Sequence, residues 1–303
     1  MDWQGEIEAA AGRIAGHVRV TPVFQADIPG IGPVELKLEH LQHTGSFKAR
    51  GAFNTLVKGP VPTAGGGGAS GGNHGAAVGF AAKTLGYPAK IFVPEVAGPA
   101  KIALIRAQGA ELEVVSGPIM GAFSAAEDYA RQTGAMQVHP FDAPDTLAGQ
   151  GTLMREWEAQ GLKADTVLIA VGGGGLIGGA LGWLSGRRKV VAVEPALAAT
   201  LNAALTAGKR VPVVPSGVAA SALGAPVIGG LCFGLAGGVT SVLVDEAAIL
   251  AAQRLLWDSL RQWVEPGGAT ALAALLSGAY VPAKGEKVAV LLCGANPAPA
   301  PYG

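Results

Sequence analysis

The sequence has few cysteines, few charged residues and no excess of either charge. Cys232 and Cys293 are the only cysteines among 303 residues, and they are too few and too far apart for a disulfide framework or a CxxC zinc site. Charged residues make up 15%, and Lys+Arg and Asp+Glu are equal at 22 each, so no basic face is available to attract nucleic acid. We expect no nucleic-acid partner, and the sparse cysteines fit a reducing cytoplasm.

Long uninterrupted apolar segments are also missing. The two uncharged runs, 166–186 and 211–244, are broken by consecutive glycines in the first and by prolines in the second. Neither offers the roughly 20 continuous apolar residues that a bilayer span needs. Residues 1–6 lack the basic start and apolar core of a signal peptide. We therefore expect a soluble, cytoplasmic protein with no membrane partner.

Short apolar segments alternate with helical patterns along most of the chain. The hydrophobic fraction is 50%, and a chain of this length suits one large domain or two closely joined ones. Strands separated by helices of ten or more residues indicate βαβ units and parallel sheets with both faces covered, so the predicted fold class is α/β. Strands are predicted at 34–39, 89–94, 111–115, 135–138, 166–171, 189–193, 241–244 and 287–292, and helices at 6–19, 47–57, 76–85, 99–108, 119–132, 145–160, 176–184, 197–207, 245–263 and 268–277.

One lysine is distinguished by its place in the chain. Lys48 follows Thr44-Gly45-Ser46, at the point where a turn gives way to a helical pattern. Taken alone it is a surface lysine. A buried lysine, in contrast, has a lowered pKa and forms Schiff bases with aldehydes, so its surroundings decide between the two interpretations.

A run of four glycines, Gly172 to Gly175, follows a predicted strand and opens a predicted helix. There, backbone N–H groups and the positive end of the helix can wrap a phosphate, although tight strand–helix turns also take glycine. No Gly-Lys-Ser/Thr follows, which excludes a Walker loop, and Glu194 is followed directly by Pro195, which makes a poor dinucleotide fingerprint. Phosphate binding is the favoured interpretation.

A second turn, Ser70-Gly71-Gly72-Asn73-His74-Gly75, also enters a predicted helix. Its backbone amides and Asn73 can bind a carboxylate or a phenolate oxygen, and a plain helix N-cap by Ser70 or Asn73 is the alternative. Upstream, Gly65 to Gly68 occupies the place of the preceding strand. Because glycine weakens strands, this run is expected to be a flexible edge.

A lysine at a turn and a phosphate cradle together suit an aldehyde cofactor, which needs a Schiff base at one end and a phosphate site at the other. The chain resembles the serine/threonine dehydratase family, which are fold-type II pyridoxal-phosphate (PLP) enzymes of the tryptophan-synthase-β-like superfamily. The resemblance runs in order from about residue 20 to 296. It is carried by Ser46-Phe47-Lys48-x-Arg50-Gly51, Gly72-Asn73-His74-Gly75, Ala148-Gly149-Gln150-Gly151-Thr152, Gly172-Gly173-Gly174-Gly175-Leu176 and Val264-Glu265-Pro266.

The resemblance implies a two-lobed α/β fold with parallel-rich twisted sheets flanked by helices. Residues 1–52 and 141–303 would form a large cofactor-binding domain, and residues 53–140 a small domain inserted in it. A homodimer acting on a small amino-acid substrate is expected, with pyridoxal 5'-phosphate as cofactor. No regulatory domain of the isoleucine-sensitive kind is expected after Cys293.

The resemblance also implies roles for individual residues. Lys48 would carry the cofactor as a Schiff base and remove the Cα proton, Phe47 would pack on the ring, and Asn73 would bond the phenolic oxygen. The glycine run would hold the phosphate, and Cys293 would face the pyridine nitrogen. The implied cofactor contacts are Phe47, Lys48, Asn73, Gly172, Gly173, Gly174, Gly175, Leu176 and Cys293, and the implied substrate contacts are Ser70, Gly71, Gly72, Asn73 and His74.

Cys293 bears on the reaction type. A neutral thiol, unlike a carboxylate, does not keep the pyridine nitrogen protonated, which favours prompt loss of a β leaving group over transamination. The predicted activity is therefore β-elimination from L-serine, L-threonine or a related β-hydroxy amino acid, giving a 2-oxo acid and ammonia. The alternatives are a β-replacement transferase of the cysteine-synthase kind, an amino-acid racemase, and a non-catalytic ligand-binding relative.

The chain departs from the family pattern at three places. Racemases of the group carry a serine where this chain has Gly71, so little racemisation is expected. Relatives that bind a divalent ion have an aspartate where this chain has Thr200, although Glu194 and Ala198 match; no metal site is expected. The loop 217–224 lacks the acidic residue of many dehydratases and is closer to the mammalian serine dehydratase type, which leaves the substrate side chain open.

Overall fold

The computed structural model describes residues 1–117 and 119–296; the last part of the predicted large domain, 297–303, lies outside the described residues. The fold is α/β, with helices packed on both sides of two sheets. The strands are β1 (Val23–Ile28), β2 (Gly32–Lys37), β3 (Gly66–Ala69), β4 (Ala89–Pro94), β5 (Glu111–Val115), β6 (Met136–Gln137), β7 (Thr166–Ala170), β8 (Lys189–Pro195), β9 (Thr240–Val244) and β10 (Val288–Leu291).

Helices fill most of the connections between these strands, as the alternating pattern predicts. They are α1 (Trp3–Ile14), α2 (Lys48–Lys58), α3 (Asn73–Leu85), α4 (Gly98–Ala107), α5 (Ile119–Thr133), α6 (Pro144–Ala159), α7 (Gly175–Leu184), α8 (Thr200–Ala207), α9 (Ala220–Leu223), α10 (Gly230–Leu235), α11 (Glu246–Leu260) and α12 (Pro266–Leu276).

The larger sheet has six strands in the order β1-β2-β10-β7-β8-β9. Only the pair β1–β2 is antiparallel, and the other neighbours are parallel. All five residues of β7, Thr-Val-Leu-Ile-Ala, are buried, because helices cover both faces of the sheet. The carboxyl ends of β7 and β10 therefore meet at one edge, where the glycine run and Cys293 follow them.

The smaller sheet has four parallel strands in the order β5-β4-β3-β6. Its strand β3 contains Gly66, Gly67 and Gly68 of the run Gly65 to Gly68, and the expectation of a flexible edge is wrong: β3 lies between β4 and β6 and is entirely buried. A Cβ at Gly67 would come within 3.0 Å of the Lys90 carbonyl oxygen, and one at Gly68 within 2.9 Å of the Val138 carbonyl oxygen. Glycine is present because neighbouring chain approaches both faces closely.

We call the four-stranded sheet with α3, α4 and α5 the small lobe, and the six-stranded sheet with its helices the large lobe. A two-lobed α/β fold with parallel-rich sheets is thereby confirmed. The boundary proposed at residues 52 and 53 falls inside α2, which is continuous from Lys48 to Lys58, and the domain limits stay a prediction. Within the part of the chain that is described, no helix is long and apolar enough to cross a membrane.

Candidate active site

Lys48 is the first residue of α2 and lies half-buried beside the segment that returns from the small lobe. Its Nζ donates a hydrogen bond to the Pro140 carbonyl oxygen at 2.6 Å and lies 5.0 Å from the centroid of the Phe47 ring. Burial lowers the pKa of Lys48 to about 8. The neutral amine that attacks an aldehyde is thus available at a pH about two units lower than for a free lysine.

The turn that carries Lys48 is joined to the turn that carries Cys293 by main-chain hydrogen bonds. Phe47 N–H donates to the Cys293 carbonyl oxygen at 3.2 Å, and Ala295 N–H donates to the Gly45 carbonyl oxygen at 2.9 Å. These bonds fix the lysine and the thiol relative to each other, although the two residues are far apart in the chain.

One pocket collects most of the cofactor contacts predicted from the sequence. Phe47, Lys48, the glycine run, Leu176 and Cys293 line it together, and Asn73 is not among its lining residues. The complete lining is Phe47, Lys48, Phe141, Ala170, Gly172, Gly173, Gly174, Gly175, Leu176, Ile177, Ala222, Leu223 and Cys293.

The glycine run has its carbonyl groups bonded and its N–H groups free. The carbonyl oxygens of Gly172 and Gly173 accept from Thr200 Oγ1 at 2.6 Å and from Gly229 N–H at 3.0 Å. None of the N–H groups of 172–175 donates to another protein group within the described residues, and they stand at the start of α7. A Cβ at Gly173 would lie 2.3 Å from Cδ1 of Phe141, so a side chain is excluded there. Free N–H groups at a helix start suit a phosphate.

Cys293 is buried at the end of β10. Its Sγ lies 3.6 Å from the Gly267 carbonyl oxygen, and burial raises the pKa of the Cys293 thiol to about 12. The thiol is therefore neutral at physiological pH. Cys232 is buried too and packs behind Gly174, so the interpretation of this second cysteine as an apolar core residue holds.

The loop Ser70–His74 enters α3, whose first N–H groups have no intrahelical partner. Ser70 Oγ accepts from Gly72 N–H at 3.0 Å. His74 Nε2 bonds the Val138 carbonyl oxygen at 2.7 Å, and burial lowers the pKa of His74 to about 3. His74 is therefore neutral, and the group left to it for a substrate carboxylate is its backbone N–H.

Asn73 lies at the lobe boundary, in a cluster whose other members the sequence did not reveal as functional. Its Nδ2 donates to Glu265 Oε1, and its Oδ1 accepts from Asn296 Nδ2 at 2.8 Å. Glu265 also pairs with Lys101, whose Nζ lies 3.4 Å from Oε2. Glu265 and Asn296 stand in recognisable motifs, but Lys101 reads as an ordinary helix lysine and carries no sequence signal.

Behind Lys48, α2 is held by a buried ionic network. Arg50 Nε lies 2.6 Å from Glu39 Oε1, and its Nη2 lies 2.9 Å from Glu156 Oε2. Glu156 also pairs with the fully buried Lys37 at 2.6 Å. Two cations facing two carboxylates balance the buried charge, and the network ties the start of α2 to β2 and α6.

Glu194 is buried, and its carboxylate caps α8 rather than standing free for a metal. Its oxygens accept from the N–H groups of Leu201 and Asn202, both at 2.7 Å, while the hydroxyl of Thr200 is directed to Gly172. Among the described residues, no group of three His, Cys, Asp or Glu side chains is arranged for a metal ion.

Comparisons with known proteins agree with this geometry. The family model described as pyridoxal-phosphate dependent enzyme matches residues 14–294, and the chain belongs to this family. It is 37% identical to the phenylserine dehydratase of Ralstonia pickettii over 96% of this chain and 93% of that protein, and 32% identical to a serine racemase of Oryza sativa subsp. indica over 96% and 89%. The crystal structure of the T.th. threonine deaminase superposes with a TM-score of 0.89 at 35% identity, covering 98% and 99% of the two chains.

The protein is thus a PLP-dependent enzyme of the dehydratase/racemase family. The residues present fit the cofactor. Lys48 supplies an amine of lowered pKa, the glycine run supplies unbonded N–H groups for the phosphate, and Cys293 supplies a neutral thiol. When bound, the cofactor withdraws electrons from the substrate Cα and so makes its proton removable.

Proposed function

We propose that this protein is an ammonia-lyase that eliminates the β-hydroxyl group from L-serine, L-threonine or a related β-hydroxy amino acid. The Cα–H and Cβ–O bonds break and water leaves. The enamine product then takes up water and releases ammonia, so that the net products are a 2-oxo acid and ammonia.

Lys48 is the base for the Cα proton in this proposal. Its amine has a pKa lowered to about 8 by burial, close enough to working pH for it to accept a proton and give it up again. Pro140, whose carbonyl oxygen accepts from Nζ, orients the amine, and the ionic network at Arg50 holds the helix that carries it. The loop Ser70–His74 offers N–H groups to the substrate carboxylate.

The observation that carries the proposal is the asymmetry between Lys48 and Gly71. Lys48 provides a base, whereas Gly71, at the position of the racemases' serine, has no side chain to return a proton from the other face. Among the described residues beyond its chain neighbours, a Cβ at Gly71 would meet only Ala97 at 3.5 Å and Pro94 at 3.8 Å. Crowding therefore does not explain the glycine, and the acid/base group is simply missing.

The substrate side chain is expected to be uncharged. Ala222 and Leu223 line the pocket beside Phe141, and loop 217–224 carries no acidic or basic residue. The similarity to a phenylserine dehydratase supports testing an aromatic substituent beside the hydroxymethyl and hydroxyethyl ones.

A panel of L-serine, L-threonine, phenylserine and 3-hydroxyaspartate, scored for 2-oxo acid and ammonia, tests the proposal. We expect ammonia release from at least one of the first three and little from 3-hydroxyaspartate, with Lys48→Ala inactive on all. Holoprotein that releases no ammonia from any of them, yet joins sulfide to O-acetylserine, would be a β-replacement transferase instead. A homodimer in the cytoplasm is part of the proposal, and light scattering of the purified holoprotein measures the assembly.

A further inference from the structure

Four hydrogen bonds or ion pairs connect the lobes through one buried cluster. From the small lobe come Asn73, at the start of α3, and Lys101, on α4; from the large lobe come Glu265, before α12, and Asn296, after β10. Asn73 bonds Glu265 and Asn296, and Lys101 bonds Glu265 and the Asn296 carbonyl oxygen. The side chains of Lys101 and Glu265 are only 3% and 2% exposed, so solvent does not screen the pair.

The cluster determines which way the Asn73 amide faces. Asn296 Nδ2 donates both to the Thr44 carbonyl oxygen at 2.7 Å and to Asn73 Oδ1 at 2.8 Å, which identifies it as the amide nitrogen. Asn73 Oδ1 is thereby occupied, which leaves the amide nitrogen Nδ2 to donate to Glu265 Oε1. Among the described residues, the second N–H of Asn73 has no protein partner.

We propose that Lys101 and Glu265 are positioning residues that hold Asn73 with its remaining N–H directed to the phenolic oxygen of the cofactor. Asn296 completes the arrangement by occupying Asn73 Oδ1. Because both bonds of the Asn73 side chain go to the large lobe, Asn73 takes this orientation only when the lobes are together.

The charge on Lys101 is essential to this role. Burial raises the pKa of Glu265, and Lys101 and Asn73 oppose that rise. Without the cation, burial favours the neutral acid, whose O–H donates a hydrogen bond, so that Glu265 no longer requires the Asn73 amide nitrogen and only Asn296 opposes a reversed amide. A reversed amide presents an oxygen where the phenolic oxygen of the cofactor requires a donor.

This inference rests on the proposed contact between Asn73 and the cofactor, so the experiment includes that residue. The holoproteins of Lys101→Met, Lys101→Arg, Asn296→Asp and Asn73→Ala are compared for their visible absorbance bands and for their cofactor dissociation constants. We expect Lys101→Met and Asn296→Asp to weaken cofactor binding roughly tenfold, as for loss of a hydrogen bond to a charged group, and to shift the band. Lys101→Arg keeps the cation and should show the absorbance band and the cofactor dissociation constant of the unmodified protein.

Lys90→Met is the matched control, because Lys90 pairs with Glu111 and Glu113 within the small lobe and away from the pocket. It should leave the band and the dissociation constant unchanged.

If Asn73→Ala changes both properties but Lys101→Met and Asn296→Asp match the unmodified protein, the positioning role is refuted and the Asn73 contact stands. If Asn73→Ala changes neither, the contact and the inference fail together. Should Lys101→Met not fold, Asn296→Asp alone decides, and ammonia release by the unmodified protein tests the activity separately.

Discussion

The Nζ atom of Lys48 lies 2.6 Å from the carbonyl oxygen of Pro140, so the proposed base is held by the segment through which the chain leaves the small lobe. This carbonyl oxygen accepts a hydrogen bond from either protonation state of the amine. Because it is neutral, it does not supply a negative charge that would stabilise the protonated amine. Burial therefore dominates, and the pKa of Lys48 falls to about 8.

The rate at which apoprotein takes up the cofactor should follow this pKa. A protonated amine does not attack an aldehyde, so the rate rises with pH and levels off above about pH 8, where Lys48 is mainly neutral. Stopped-flow absorbance across pH 6 to 10 measures it. A rate still climbing at pH 10, as for a free lysine with a pKa near ~10.4, would contradict the lowered pKa.

Gly173→Ala should abolish tight cofactor binding. The added methyl would lie 2.3 Å from Cδ1 of Phe141, so either the loop or the ring must move, and the N–H groups of the glycine run lose their arrangement. Equilibrium dialysis measures the loss of cofactor binding, and thermal unfolding of the apoprotein measures the effect of the clash on stability.

Gly234→Ala, in α10, is the control for this substitution. Among the described residues, nothing outside its own stretch of helix lies within 4 Å of the added Cβ, and alanine is favoured in helices by about 0.5–1 kcal/mol. Its stability should stay the same or rise, with cofactor binding unchanged. If Gly234→Ala lost as much cofactor binding as Gly173→Ala, the effect could not be assigned to the loop at Gly173.

The unmodified protein should form little D-serine from L-serine. A positioned acid or base contributes roughly 10²–10⁴-fold, and Gly71 supplies none. Chiral chromatography should therefore find D-serine forming at roughly a hundredth of the rate of pyruvate or less. Gly71→Ser, which the space beside Ala97 admits, should raise that ratio where Gly71→Ala does not. Comparable rates of D-serine and pyruvate formation in the unmodified protein would refute the proposal that the face of the site at Gly71 lacks an acid or base.

Magnesium should not raise the melting temperature. Both oxygens of Glu194 already accept N–H groups at the start of α8, and Thr200 offers no carboxylate. Differential scanning fluorimetry with Mg²⁺ and then EDTA is the measurement, and a reversible upward shift would show that a divalent site exists. Glu194→Gln keeps one acceptor oxygen and should cost about 1 kcal/mol of unfolding free energy.

The sequence predicts much of this site because its residues stand in turns of unusual composition. Lys48, the glycine run and Cys293 each follow a strand or open a helix, and a pocket wall assembled from such turns is what the α/β pattern leads one to expect. The role of Lys101 could not be predicted from the sequence, because its partner Glu265 is 164 residues away and a lysine on a helix normally faces water. The position of β3 in the sheet was predicted wrongly for a different reason. Strand propensity rests on side-chain packing, whereas in β3 the neighbouring main chain approaches so closely that only glycine fits.

The glycine strand has a consequence for motion. A strand built almost wholly of main chain gives the small lobe hydrogen bonds at its centre but little side-chain interdigitation with α5 and α3. Regions with few buried apolar contacts open at lower free energy than well-packed cores. We therefore expect the amide protons of β3 to exchange with solvent through opening of the small lobe, and those of β7 to exchange only on unfolding of the whole chain. The small lobe is therefore expected to open at a lower free energy than the large lobe.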